Sequence, residues 1–326
     1  RFDLTINAGG NNRRDKNQYI NSHVEGLVIP GVFKLSNGIN PPVLNADYFQ
    51  KVINSLYGLA SFSFDDRIFV DLTARNDWFS ALPPQNNSFF YPSISTSFIL
   101  SDLFVLPSPV SFAKFRLSAA RVGNDTAPYR DRKYYGTSNF PGSGSVPTLL
   151  HNVDFKPEET TSYEAGLEYI LFNRRLGMDI AVYRNITENQ ILEVPLDPTT
   201  GYFEAVLNGG QVRNQGIELV AYGSPVSTRN FKWKTTVTWA KNDNEVLSLP
   251  EELTDQQIIG TGGNATLIAK PGGTTGDIYG FGFLRAPDGQ IIYNANGLPA
   301  RPAQIQYIGR AYADWKGGWL NEFNYR

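Results

Sequence analysis

Asp65-Asp66-Arg67-Ile68-Phe69-Val70-Asp71-Leu72-Thr73-Ala74-Arg75 is the stretch whose reading decides the fold. Ile68, Val70, Leu72 and Ala74 alternate with Arg67, Phe69, Asp71, Thr73 and Arg75, the period a strand imposes, so one row is apolar and the other carries both signs of charge. The charged row needs water. Asp65-Asp66 joins this segment to the preceding one with almost nothing between them, whereas the next connection runs from Trp78 to Ser88. Tight turns at one end and long connections at the other are what a transmembrane β-barrel needs.

The same alternation extends in both directions. Phe2, Leu4, Ile6 and Ala8 alternate with polar residues, as do Ile94, Thr96, Phe98 and Leu100 further on. It recurs at Ala113 to Ala119 against Lys114 and Arg116, at Tyr163 to Tyr169 against Glu164 and Glu168, and at Leu176 to Val182 against Asp179. Ile217, Leu219 and Ala221 face away from Glu218, and Phe231, Trp233 and Val237 face away from Lys232 and Lys234. Short connections fall at Asp65-Asp66, Ser101 to Ser111, Asn173-Arg174 and Ser224 to Asn230, and long ones at 9–50, 79–88, 122–160, 186–212 and 243–316. This parity predicts an all-β fold, an antiparallel transmembrane barrel wall of ten passes with long extracellular loops. Trp78, Phe79, Phe89, Phe90, Tyr91, Trp315 and Trp319 collect at the predicted strand ends, where a barrel carries its aromatic girdle. A soluble β-sandwich also alternates, but structureless connections of this length are uncommon in one.

Composition narrows the chemistry. A net charge of −2 with scattered Lys and Arg gives no case for nucleic acid. There is no cysteine and only two histidines, His23 and His151, so a thiolate or histidine-rich metal centre is excluded and no cofactor is expected. No run reaches the ~18–20 apolar residues of a membrane helix, a limit that does not touch strands, which are only half apolar. The chain opens and stops in strand rhythm with no signal peptide, and reads as a piece of something longer.

Seven blocks in order resemble one family. They are Gly26-Leu27-Val28-Ile29-Pro30-Gly31-Val32-Phe33-Lys34-Leu35-Ser36-Asn37, Val70 to Trp78 ending in Arg-Asn-Asp-Trp, Tyr91 to Ser95, Arg116 to Asp125, Lys156 to Glu168, Asn208 to Leu219, and Ala313 to Gly318. Together they are similar to the SusC/RagA-type TonB-dependent transporters of Bacteroidetes outer membranes. The resemblance implies that residues 1–326 are an internal part of a barrel of about 22 strands plugged by an N-terminal domain. The N-terminal extension, the plug and the last strands would then lie outside this chain. It further implies import of an oligosaccharide or peptide under a SusD-like surface lipoprotein, driven by TonB, ExbB and ExbD, in a wall that meets outer-membrane lipid.

Ligand contacts are expected from the long loops, at Tyr129, Tyr134, Tyr135 and Phe140, and at Tyr202 and Phe203. The same rings could instead order their loops or meet the lid. Asp71, Arg75, Lys114, Arg116, Arg121, Glu164, Glu168, Glu218, Lys232 and Lys234 are expected to face the lumen, as ligand contacts or as a solvated charge ladder that holds the plug. Glu158-Glu159 and Glu251-Glu252 are adjacent acids, and neighbours in a strand point to opposite faces, so no catalysis is expected. The turn at Asp288-Gly289 offers a single carboxylate, too few for calcium, and no metal site is expected. A barrel used as a scaffold for surface adhesion or secretion-associated assembly is the alternative that stays open.

Overall fold

The computed structural model describes residues 1–137, 142–250, 253 and 257–326. Ten strands form one sheet: β1 (Phe2–His23), β2 (Val43–Phe64), β3 (Ile68–Phe79), β4 (Ser88–Ile99), β5 (Val110–Asn124), β6 (Glu158–Leu171), β7 (Leu176–Glu188), β8 (Gln211–Ser227), β9 (Phe231–Ser248) and β10 (Lys316–Tyr325). Each pairs antiparallel with the next in chain order, as the alternating short and long connections predict.

The tight turns have a local cause. Asp65 and Asp66 both take positive φ, 50° and 55°, and the Arg67 amide donates to the Phe64 carbonyl at 3.0 Å. That is a two-residue turn whose twist matches the strands it joins, and Asp is among the residues that tolerate it. Phe172, Asn173 and Arg174 make the equivalent reversal between β6 and β7, again at positive φ.

Register separates two faces. Thr5, Ser61, Asp71, Ser95, Ser118, Glu164 and Tyr183 lie in one row across β1 to β7, and the adjacent row on the opposite face is Ile6, Ala60, Leu72, Ile94, Ala119, Tyr163 and Arg184. The apolar face is uncovered: Ile6 is 71% exposed, Leu72 48% and Trp319 71%. An apolar surface of this extent left bare is the signature of a lipid-facing wall.

Several expected connections are shorter than their sequence suggests. The span 9–50 is mostly strand, because β1 and β2 stay paired from Phe2↔Phe64 to His23↔Val43, leaving a loop of 24–42. Twenty-two residues in each strand is about twice the ~9–11 a membrane crossing needs. The outer half, with Asn11, Asn12, Arg13, Arg14, Asp15 and Lys16, loses its apolar row because it stands in water. The remaining long connections also carry structure: Leu149–Leu150, Ile191–Pro195 and Glu204–Asn208 form a three-stranded sheet, and Gln257–Gly262, Ala265–Ala269, Asp277–Gly280 and Gln306–Arg310 a four-stranded one.

The best-buried core lies where these connections meet the outer ends of the wall strands. Phe79, Leu82, Tyr91, Phe155 and Val206 pack together at the long-loop end. Phe79 and Tyr91, expected in an aromatic girdle, are 4% and 9% exposed. Their positions on the strands turn them to the polar face, where the loops fold over them. Trp78 and Phe90, one residue away, point to the apolar face and are exposed.

Candidate functional site: the polar face and its loop assembly

Nine of the ten expected lumen charges share one face by register: Asp71, Arg75, Lys114, Arg116, Glu164, Glu168, Glu218, Lys232 and Lys234. Arg121 does not. It lies an odd number of residues from Arg116, with Leu117 and Ala119, and at the outer end of β5, beyond the last β4–β5 pair, its guanidinium pairs with Glu159 and lies 5.4 Å from the ring of Phe89, a residue of polar-face register.

On the polar face Arg116 is the centre of a charge cluster. It donates to both oxygens of Asp179, at 2.7 and 3.1 Å, and stands 3.6 Å from Glu164. To reach Asp179 from β5 the guanidinium crosses β6 directly above Gly166. A Cβ on Gly166 would meet Arg116 Nε at 2.3 Å. Gly166→Val is therefore expected to push the guanidinium off Asp179 and to destabilise the wall by about 1–3 kcal/mol through overpacking, read as earlier unfolding in a denaturant titration of the detergent-solubilised protein. An unchanged midpoint would mean that Arg116 does not need this path.

Beside the cluster, Tyr183 donates to Asn242 at 3.0 Å, and Asn242 and Asn244 both donate to Asn214 Oδ1, at 3.2 and 3.0 Å. With Arg116, Glu164 and Glu218, the side chains of Tyr183, Asn214 and Asn242 line a polar hollow of about 600 Å³. Higher on the same face Arg75 holds Asp77 at 2.7 Å and Ser55 at 2.8 Å. At the other end of the sheet Lys234 faces Glu322 at 3.7 Å. Arg75, Arg116, Glu164 and Lys234 thus form ion pairs within the wall, and Lys114 stands opposite Glu168 in register.

The loops supply a second surface. Tyr129 and Tyr134 meet edge to face, with centroids 5.5 Å apart, and Tyr134 meets His151 at 6.5 Å. With Pro147, Thr148 and Leu149 they line a cleft of about 510 Å³. The projecting part of β2 buttresses it: Phe49 lies 6.2 Å from the Tyr129 ring, and the Gln50 amide donates to Tyr129 Oη at 3.3 Å. Burial, followed by the nearby Asp131 carboxylate, pushes the Tyr134 phenol up, so it stays a neutral donor at neutral pH.

Tyr202 and Phe203 do not line that cleft. Tyr202 accepts a hydrogen bond from the Lys133 ammonium, which keeps that ammonium's pKa above its ordinary value, and the Phe203 amide donates to Thr148 at 2.8 Å. They therefore tie the 189–210 loop to the 125–157 loop that carries the cleft. Tyr135 is exposed, and Phe140 and Glu251-Glu252 lie outside the described residues.

Glu158 and Glu159 do point apart. Glu158 accepts from Asn124 at 3.3 Å and the Ile191 amide at 2.9 Å, while Glu159 pairs with Arg121. The glycines of Lys270-Pro271-Gly272-Gly273 pair with Val246 through two backbone hydrogen bonds of 2.8 Å. His151, Phe49, Asp179 and the asparagine cluster are site components that sequence reasoning missed. Asp179 had a signal, its place opposite Glu168 in an alternating row. The asparagines had none, because Asn is equally at home in loops.

The chain matches the family model for the TonB dependent receptor-like β-barrel over residues 1–325. It is 27% identical to TonB-dependent receptor P26 of Formosa agariphila over 96% of its length and 33% of the relative's. It is 25% identical to TonB-dependent receptor SusC of Bacteroides thetaiotaomicron over 81% of its length and 28% of the relative's. It thus spans about a third or less of these curated relatives. Among solved structures, the RagAB peptide transporter superposes on all of the chain and 38% of its own, with a TM-score of 0.82 at 19% identity, which speaks for the fold alone. The siderophore receptor PiuA of Acinetobacter baumannii superposes on 99% of the chain with a TM-score of 0.52 at 14% identity. The chain, a ten-stranded meander with one bare apolar face, one charged face and long loops at one end, belongs to the TonB-dependent receptor-like β-barrel family.

Proposed function

We propose that this chain is wall and extracellular loops of a TonB-dependent importer in the outer membrane, taking up an oligosaccharide or a peptide. In this reading the uptake runs beneath a SusD-like lipoprotein, with a plug elsewhere in the protein moved by TonB, ExbB and ExbD. The observation that carries the reading is the loop assembly: two long loops and the projecting β1–β2 hairpin converge on one aromatic cleft at the long-loop end. Flat rings with a few polar groups suit a sugar face or a peptide side chain equally. The ion pairs of Arg75, Arg116 and Lys234 within the polar face favour the ladder reading, a solvated wall against which the plug rests, over a ligand site.

The whole protein carrying Tyr129→Ala with Tyr134→Ala is expected to bind its substrate about thirtyfold more weakly, since each ring contributes of the order of 1 kcal/mol of contact. Titration of the purified importer with oligosaccharide and peptide pools measures this. Full affinity in the double variant would remove the cleft from the binding route. Co-purification addresses the rival scaffold reading, since an importer brings down its lipoprotein lid and an adhesion scaffold does not.

A further inference from the structure

The apolar face bears a groove whose outer end carries two arginines, and we infer that it seats a phosphorylated lipid of the outer leaflet. The inference rests on the reading of this face as lipid-facing.

The groove runs in two adjoining parts, of about 590 and 440 Å³, that share Ile94, Ala119 and Tyr163. Ala119 and Ala165 keep its floor low, while Ile94, Leu117 and Val182 stand beside them, so the depression has the width of hydrocarbon and little polar lining. Arg184 lines one part and Arg121 the other. Arg184 is exposed and makes no hydrogen bond or ion pair among the described residues. Arg121 is held in place by Glu159 and the Phe89 ring, which leaves part of its fan of donors outward. An arginine at the edge of a bilayer, with no carboxylate of its own, is complementary to a phosphate that it can grip with two N–H groups.

The height of these cations fits a headgroup plane. Relative to the row through Ile6, Leu72 and Tyr163, Arg121 lies two residues outward on β5, Arg184 lies level on β7, and Lys241 lies two residues inward on β9. A line that steps across the hydrogen-bonded rows in this way is what a flat membrane surface traces on tilted strands. Below Arg121, β5 has Val110 to Ala120 left to cross the bilayer, within the ~9–11 residues a pass requires. The arginines therefore sit where phosphates are, with the groove running inward from them where acyl chains are.

The test uses the full-length protein in detergent, offered monophosphorylated lipid A or the same lipid after phosphatase treatment, with bound lipid counted by native mass spectrometry. Wild type is expected to retain the phosphorylated form at least tenfold better than the dephosphorylated one. Arg121→Gln with Arg184→Gln is expected to abolish that preference, and Ala119→Leu, which fills the groove, to lower retention of both lipids. Arg174→Gln at the opposite end of the wall is the control and is expected to keep the preference. Equal retention of the two lipids by wild type, or a preference that survives the double arginine change, would overturn the inference. Failure of the underlying reading looks different: the protein would then stay monodisperse without detergent.

Discussion

Phe155→Ala is expected to release the loop assembly while leaving the wall intact. Phe155 is 0% exposed and packs with Phe79 and Tyr91 from the wall, Leu82 from the 80–87 connection and Val206 from the 189–210 loop. Its neighbours reinforce the junction. Gln85 donates to the Val153 carbonyl at 3.0 Å, Asn86 to the Asp154 carbonyl at 3.3 Å, and the Lys156 amide to Asn208 at 2.6 Å. Removing a fully buried phenyl ring costs about 3–5 kcal/mol, because the cavity closes only in part. These hydrogen bonds do not involve the ring and are too few to hold three loops once it is gone. Hydrogen exchange of the amides in 149–156 and 204–208 should therefore quicken by roughly 10²–10³-fold, with the β5–β6 ladder unchanged. Phe155→Leu should retain most of the protection, and Phe33→Ala, at an 87% exposed position, should change nothing. Exchange as slow as wild type in the alanine variant would show that the loops stand without this core.

That core also marks the limit of what the sequence discloses. Alternation with period two was enough for the ten strands, their order and the sorting of nine charges to one face, because a strand in a membrane must expose one apolar row whatever else it does. Arg121 broke from the set for the same reason: its odd spacing from Arg116 puts it with Leu117, and an arginine can stand on that face only where the bilayer ends. The extent of β1 and β2 was hidden because strands that leave the membrane lose the apolar row that reveals them. The loop core was hidden because Leu82, Phe155 and Val206 sit in segments without periodicity, brought together only by the fold. Four of the expected ligand aromatics lie in one assembly, yet among the described residues only Tyr129 and Tyr134 of that set line the cleft. Aromatic content in a loop signals burial or contact of some kind, and the backbone route decides which.

Ile180→Arg and Ala181→Arg, a single residue apart, are expected to have opposite outcomes. Ile180 lies on the apolar face between Leu167 and Leu219, four residues from either Leu176 at the turn or Arg184 at the outer edge. That is the middle of the crossing, where a guanidinium on the lipid face costs about 2–4 kcal/mol. Snorkelling cannot relieve it, since either surface is some four residues away, about 13 Å along the strand. Ala181 points the other way, opposite Glu218 and beside the Arg116 hollow. A new guanidinium there finds water and the Glu218 carboxylate, which no ion pair among the described residues occupies, so its cost should stay within about 1 kcal/mol. Folding of the two full-length variants into liposomes from urea, followed by the heat-dependent gel shift of a closed barrel, measures the difference. A lower folded fraction for Ile180→Arg alone is the expected result. Equal loss in both would mean that the two faces meet the same environment, and no membrane-spanning reading of this sheet could then stand.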